Sequence, residues 1–408
     1  MVLAPGRCWW ARSGPPSGQE LGRLTIVLRA ECFKLLKYSV LRVTFSPFGE
    51  VWNLPFFLLP CPASLRTLDG GSQYCSIERM KSKSLDSDPS HLTCIEICAG
   101  AGGQALGLEK AGFEALAHVE FDRNACATLR LNRPHWNVIE GDVREFSAKK
   151  FRGVDLLAGG VPCPPFSVAG KQLGANDERD LFPEALRLVS ECRPKAVMLE
   201  NVRGFLDAVF IDYRLRLKEQ LNDLGYVANW YPLNASDFGV PQLRPRVVVV
   251  AIKKELARGF YPPIPLTDGT RPKTVGETLV DLMAANGWEK AFEWAAKANE
   301  IAPTLVGGSK KHGGADLGPT RARNAWASLG VNGKSLAEEA PPKGFNDMPR
   351  LTLRMAARIQ GFPDDWNFAG GKTAAYRQIG NAFPPPVASA VALRIRDAIG
   401  FKADARHA

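Results

Sequence analysis

Thr93-Cys94-Ile95-Glu96-Ile97-Cys98-Ala99-Gly100-Ala101-Gly102-Gly103 is the stretch that orders the rest of the chain. Residues 93–97 form a short apolar strand, 99–103 a loop of small residues, and 104–111 a helix closed by Gly112 at its C-terminal cap. Glycines between a strand and a helix N-terminus let a ligand approach the backbone and meet unpaired amides. Ile97, Cys98, Ala99, Gly100, Gly102 and Gly103 are therefore candidate ligand contacts, although the full G-x-G-x-x-G spacing of dinucleotide sites is missing. Glu120 follows a second strand at 115–119, where its carboxylate suits a ribose diol. Asp142 ends a third strand, placed to accept from an adenine amino group.

Beyond this opening, strands at 154–158, 196–199 and 247–252 alternate with helices around 183–191 and 210–224. Such alternation predicts an α/β fold with a doubly wound, mostly parallel sheet and ligands at the carboxyl ends of its strands. Residues 80–255 would make this catalytic body. From 256 to 350 the chain is rich in Pro and Gly with weak periodicity, as a smaller inserted domain would be. Helical spacing returns at 351–360 and at 384–399, so 351–408 rejoins the first body. Residues 1–79 have neither period nor motif. Met80 and the polar run 81–90 read as a start and a short leader, which makes 1–79 an appended or mis-started extension with no recognised function.

The 408 residues are 45% hydrophobic and 23% charged, which excludes wholesale disorder. A net charge of +10 favours an anionic partner such as nucleic acid. Nine cysteines without a secretory leader imply reduced thiols and a cytoplasmic protein. The most apolar run, 54–61, is short and holds Pro55 and Pro60, so no membrane span is expected. Cysteines and the five histidines lack ligand spacing, so no metal is expected either.

The second chemical stretch is Gly159-Gly160-Val161-Pro162-Cys163-Pro164-Pro165-Phe166-Ser167. Cys163 stands in a loop at the carboxyl end of an apolar strand, stiffened by prolines on both sides, which is where a nucleophile belongs and a buried structural cysteine does not.

From here the chain resembles the DNA (cytosine-5)-methyltransferase family, in the form of bacterial restriction-modification methylases. Pro162-Cys163 with Pro165-Phe166-Ser167 is similar to that family's nucleophile loop, Glu200-Asn201-Val202 to its E-N-V block, and Gln242-Leu243-Arg244-Pro245-Arg246 to its Q-x-R-x-R block. Gln360-Gly361-Phe362-Pro363 and Arg377-Gln378-Ile379-Gly380-Asn381-Ala382 are similar to the closing pair. The resemblance covers residues 93 to about 400, with two departures: Cys98 stands where an aromatic residue is usual, and Pro164 where Gln is usual.

The resemblance implies the S-adenosylmethionine-dependent methyltransferase fold, with an inserted target-recognition domain at 256–350. It also implies a flipped cytosine in duplex DNA. Cys163 would add to carbon 6, Glu200 would hold ring nitrogen 3 and the exocyclic amine, Arg246 the carbonyl oxygen, and Arg244 would orient the loop and a phosphate. Gly160, Asn381 and Ala382 join the cofactor contacts. Ser167, Gln242, Thr304, Lys310, Lys311, Arg321 and Arg323 are the expected DNA contacts, the last four on Gly-rich loops. A monomer functionally paired with a restriction endonuclease is the implied setting. An oxidoreductase using a nicotinamide cofactor would share the glycine loop and Glu120 but has no use for Cys163 with Arg246. The tRNA-methylating branch carries a Cys-Phe-Thr tripeptide absent here.

Overall fold

The computed structural model describes residues 92–162, 180–265, 271–307 and 314–400, and the backbone of two short strands, β1 (Arg66–Thr67) and β2 (Gln73–Tyr74). Cys163, Ser167, Lys310, Lys311 and the rest of the N-terminal extension lie outside the described residues. The chain divides into two compact units, Met1–Asp88 and Pro89–Ala408. In the first, β1 pairs with β2 in antiparallel fashion.

The second unit is built on a seven-stranded sheet: β3 (Leu92–Ile97), β4 (Phe113–Glu120), β5 (Val138–Glu140), β6 (Leu156–Gly159), β7 (Ala196–Val202), β8 (Tyr226–Asn234) and β9 (Pro245–Lys253). Their spatial order is β5-β4-β3-β6-β7-β9-β8. The first five are parallel, whereas β9 runs antiparallel to both β7 and β8. From β3 the chain first winds outward through β4 and β5, then returns to the other side of β3 as β6 and β7. That reversal opens a crevice at the carboxyl ends of β3 and β6, where the glycine loop and the strand leading to Cys163 both end.

Neighbouring residues along the strands feed opposite faces. Ile95, Ile97, Leu157, Val197 and Leu199 pack with Phe182 and Val189 of α3 (Phe182–Cys192) and Leu221 of α4 (Ile211–Asp223). Cys94, Leu156, Ala158, Met198 and Val248 pack instead with Leu108 of α1 (Gly103–Lys110) and with Val387, Val391 and Ile395 of α10 (Pro385–Gly400). Full burial of each such Leu, Ile or Val contributes about 1.5–3 kcal/mol, and coverage on both faces is why these strands are mostly apolar. At Gly107 a Cβ would come within 2.4 Å of that of Ala388, so only glycine allows α1 to lie this close to α10.

Several elements differ from the sequence reading. The strand expected at 115–119 spans Phe113–Glu120, and edge strand β8 was not expected at all. Nor were α2 (Arg123–Asn132) and α9 (Lys372–Asn381). Between 256 and 350 the chain is not irregular but carries α5 (Val275–Ala284), α6 (Ala291–Lys297) and α7 (Thr320–Ser328). Trp288, Trp294 and Trp326 of this stretch share one core with Met355 of α8 (Leu353–Ile359), Trp366 and Tyr376. Arg321 and Arg323 therefore stand on a helix anchored by Trp326, not on a Gly-rich loop.

Candidate active site

The β3–α1 loop turns through three left-handed residues, Cys98 (φ 50°), Gly100 (φ 55°) and Gly102 (φ 89°). A non-glycine residue there is held against a cost of order 1–3 kcal/mol, which surrounding contacts must offset. Ala99 N donates to Val119 O at 3.2 Å, and Trp366 Nε1 donates to Ala101 O at 3.0 Å. A Cβ on Gly103 would sit 2.3 Å from Phe383 O, so the start of α1 touches the backbone leading into α10.

The loop borders a cavity of about 260 Å³. Cys98, Ala99, Gly100 and Gly103 line one side, Arg377, Asn381, Ala382 and Phe383 another, and Gly160 and Glu200 a third. Of the expected cofactor contacts, Ile97 and Gly102 do not line it. Ile97 is fully buried against Gly159, and Gly102 faces Trp366 and Leu129. Glu120 does line it, with each carboxylate oxygen accepting from a backbone amide at 2.7 Å, from Gly100 N and Asp122 N. Burial pushes its pKa up against those bonds.

Asp142, just after β5, does not itself line the cavity; Arg144, two residues on, folds back to hold both its oxygens at 2.7–3.0 Å, lowering its pKa. Its charge still acts on the Cys98 thiol, so it stands beside the glycine loop.

On the third side, Glu200 lies near the end of β7, beside Arg246 of the neighbouring β9, whose Nε lies 2.8 Å from Glu200 Oε1. Burial pushes the Glu200 carboxyl above its ordinary range, with Arg246 and then Arg244 opposing the shift. A Cβ on Gly160 would be 3.6 Å from both Glu200 Oε2 and Cys98 O, so the missing side chain keeps the glycine loop open toward the carboxyl. Asn201 Nδ2 donates to Val161 O at 3.0 Å, bracing the backbone two residues before Cys163.

Two expected DNA-side residues are interior. Arg244 has no exposed surface; its guanidinium donates to Leu305 O (2.8 Å), Gly380 O (2.7 Å) and Ala382 O (3.0 Å). It ties residues 303–305 to the end of α9 and has no face for a phosphate. Gln242, equally buried, donates to Gln360 Oε1 at 2.7 Å and accepts from Leu305 N at 3.0 Å. Thr304 Oγ1 donates to Leu243 O, beside the exposed Leu243 side chain. Arg321 is exposed and Arg323 half-buried on α7.

Sequence reasoning missed Ala101, Gln104, Asp122, Ala125 and Phe383, and placed Arg377 and Gln378 only within the closing block; all line the cavity. Asp122 was detectable as a helix cap, since its carboxylate accepts from Asn124 N and Ala125 N. Arg377 of α9 lies 3.7 Å from Asp122, joining the two sides of the cavity. Among the described residues, no group of three or more His, Cys, Asp or Glu could hold a metal ion, and no helix is long and apolar enough to cross a membrane.

Comparison with known proteins points the same way as this geometry. Residues 92–397 match the family described as C-5 cytosine-specific DNA methylase. The chain is 60% identical over 321 residues to "Type II methyltransferase M.NaeI" of Lentzea aerocolonigenes, covering 77% of each protein. It is 57% identical over 310 residues to "Type II methyltransferase M.NgoMIV" of Neisseria gonorrhoeae, covering 75% of this chain and 98% of that one. The crystal structure of Dnmt2 methyltransferase from S. pombe is similar in fold, with a TM-score of 0.51 at 17% identity over 75% of this chain and 98% of that one.

Proposed function

The chain belongs to the C-5 cytosine-specific DNA methylase family, as a DNA cytosine-5-methyltransferase using S-adenosylmethionine, and from that premise we propose how its own residues divide the reaction. The observation that carries the reading is that one cavity runs from Gly100 and Glu120 to Glu200, so a cofactor-sized space meets the base-binding carboxyl without a barrier. S-adenosylmethionine, when bound, supplies an electrophilic methyl group. Glu120 and the amides of the 98–103 loop fit its ribose and backbone-facing groups, and Gly160 leaves the way open to the base.

Carbon 5 of cytosine is a weak nucleophile until the ring is activated. The Cys163 thiolate adds to carbon 6, forming an S–C bond and moving electron density to carbon 5, which takes the methyl group. Loss of the carbon-5 proton to water or a nearby base and breakage of the S–C bond restore the aromatic ring and the thiolate. Protonated Glu200 donates to ring nitrogen 3 and accepts from the exocyclic amine, and burial favours that protonated form. Arg246 stands beside it to meet the carbonyl oxygen. The four cysteines among the described residues, Cys94, Cys98, Cys126 and Cys192, have thiols pushed upward by burial, which makes them poor nucleophiles, so none of these four competes with Cys163 for the role.

The target base must leave the duplex to reach this depth, at an unstacking cost of a few kcal/mol. Arg321 and Arg323 of α7, with Lys310, Lys311, Ser167 and Thr304, supply contacts to the DNA, and residues 256–350 select its sequence. A single chain acting in the cytoplasm suffices, and its product would resist a cognate restriction endonuclease. Bisulfite sequencing of DNA from cells expressing the protein reports base and context together. Cys163→Ala should abolish methylation while duplex and S-adenosylhomocysteine binding persist; methylation at the parent rate would refute the assignment.

A further inference from the structure

Gln104 is the second residue of α1, 4% exposed, in the wall of the cavity. Among the described residues neither Oε1 nor Nε2 has a hydrogen-bond partner. A buried primary amide offers two donors and an acceptor, and leaving all of them unpaired is costly enough to be rare. Beside it, the N-cap of α1 is Gly102, which has no capping side chain, and the first turn of α1 holds no acid. The first amides of a helix have no intrahelical acceptor and carry the positive end of its dipole. The spot thus combines donors suited to a carboxylate with an amide oxygen suited to an ammonium.

We propose that the Gln104 side chain binds the amino-acid end of the cofactor, reading its α-carboxylate and α-ammonium together with the first amides of α1. This rests on the placement of S-adenosylmethionine in this cavity. A sulfonium carries three substituents. With the ribose at Glu120 and the methyl directed to Glu200, the third, the aminocarboxypropyl arm, is left to the wall between them, where Gln104 lies. Gln104 is therefore a binding residue that separates the full cofactor from adenosyl thioethers lacking the arm.

The test is calorimetric titration of the full chain and of Gln104→Leu with two ligands. One is S-adenosylhomocysteine, which keeps the arm; the other is 5′-methylthioadenosine, which has the same nucleoside and thioether without it. Gln104→Leu should weaken S-adenosylhomocysteine about tenfold, the equivalent of one lost hydrogen bond. Its affinity for 5′-methylthioadenosine should stay within twofold. The ligand-free variant should melt no lower than the parent, because the amide has no internal partner to lose. Equal loss for both ligands, or loss for neither, overturns the proposal, as does a lower melting temperature with parallel losses. A parent chain that binds neither ligand would overturn the cofactor placement as well, which separates that failure from this one.

Discussion

Arg244→Met tests whether this arginine is an internal tie or a contact to DNA. The substitution removes three hydrogen bonds from a charged donor to Leu305 O, Gly380 O and Ala382 O. Each such bond is worth about 1.5–3 kcal/mol. Against them stands the desolvation of the guanidinium, which lowers its pKa and costs several kcal/mol that the thioether does not incur. Ala382 O keeps a second donor in Gln360 Nε2 at 2.6 Å, whereas Leu305 O and Gly380 O lose their side-chain donor. The net expectation is a destabilisation of about 3–5 kcal/mol. At about 2 °C per kcal/mol for a unit of this size, the melting temperature should fall by roughly 6–10 °C. Urea unfolding gives the free energy, and a salt titration of duplex binding on the folded variant gives the number of phosphate contacts. An unchanged salt slope fits the buried tie. A variant that melts with the parent while its slope falls by about one would place the guanidinium on a phosphate and refute this reading.

The raised Glu200 pKa sets a sign for pH dependence. The protonated donor is present below the raised value and lost as pH rises through it, so single-turnover methylation should decline on the alkaline side at a pH above the ordinary carboxylate range near 4.5. Glu200→Gln keeps a donor and an acceptor and should be slower but lack that decline; retention of the same limb would move the titration to another group. Gly103→Ala puts a methyl 2.3 Å from Phe383 O and should cost about 1–3 kcal/mol in urea unfolding while weakening S-adenosylhomocysteine, since Gly103 and Phe383 both line the cavity. Arg321→Ala and Arg323→Ala should each either relax the bisulfite-read target or lower the salt slope by about one, and variants matching the parent in both would remove α7 from the DNA interface.

Elements whose period matched their burial were readable from the chain. β6 and the central parts of β7 and β9 are covered on both faces and form apolar runs that no surface loop would show, and β3 is interrupted toward its end only by Glu96, buried and paired with His118. β8 escaped because it is an edge strand: Tyr226, Ala228, Asn229, Trp230 and Pro232 mix polarity, and a proline is tolerated where one side of the ladder is open. α6 and α7 are short, each with one buried tryptophan and no stripe, whereas α5 does bury Val275, Leu279 and Met283 at four-residue spacing, a pattern too brief to stand out from its Pro- and Gly-rich surroundings. Thr274 and Glu277 form a capping box, a helix start present in the sequence and passed over. Gln242 and Arg244 were misplaced for a different reason. Polarity suggests exposure, but the carbonyls of Leu305, Gly380 and Ala382 exist as partners only once distant segments have met.

The wall that α9 and the two residues after it lend to the cavity has a consequence for when the protein becomes competent. Trp366 grips Ala101 across 265 positions of chain, and Arg396 donates to Ala111 O across 285. A chain still on the ribosome with Trp366 and the residues after it in the exit tunnel or unsynthesised has the glycine loop but not the surface that closes over it. Half-made polypeptides would then bind no methyl donor, and methylation would begin only from finished molecules. In a cell that has just acquired the gene, the delay before its DNA is marked would include the full length of translation plus the slow closure of this long-range contact.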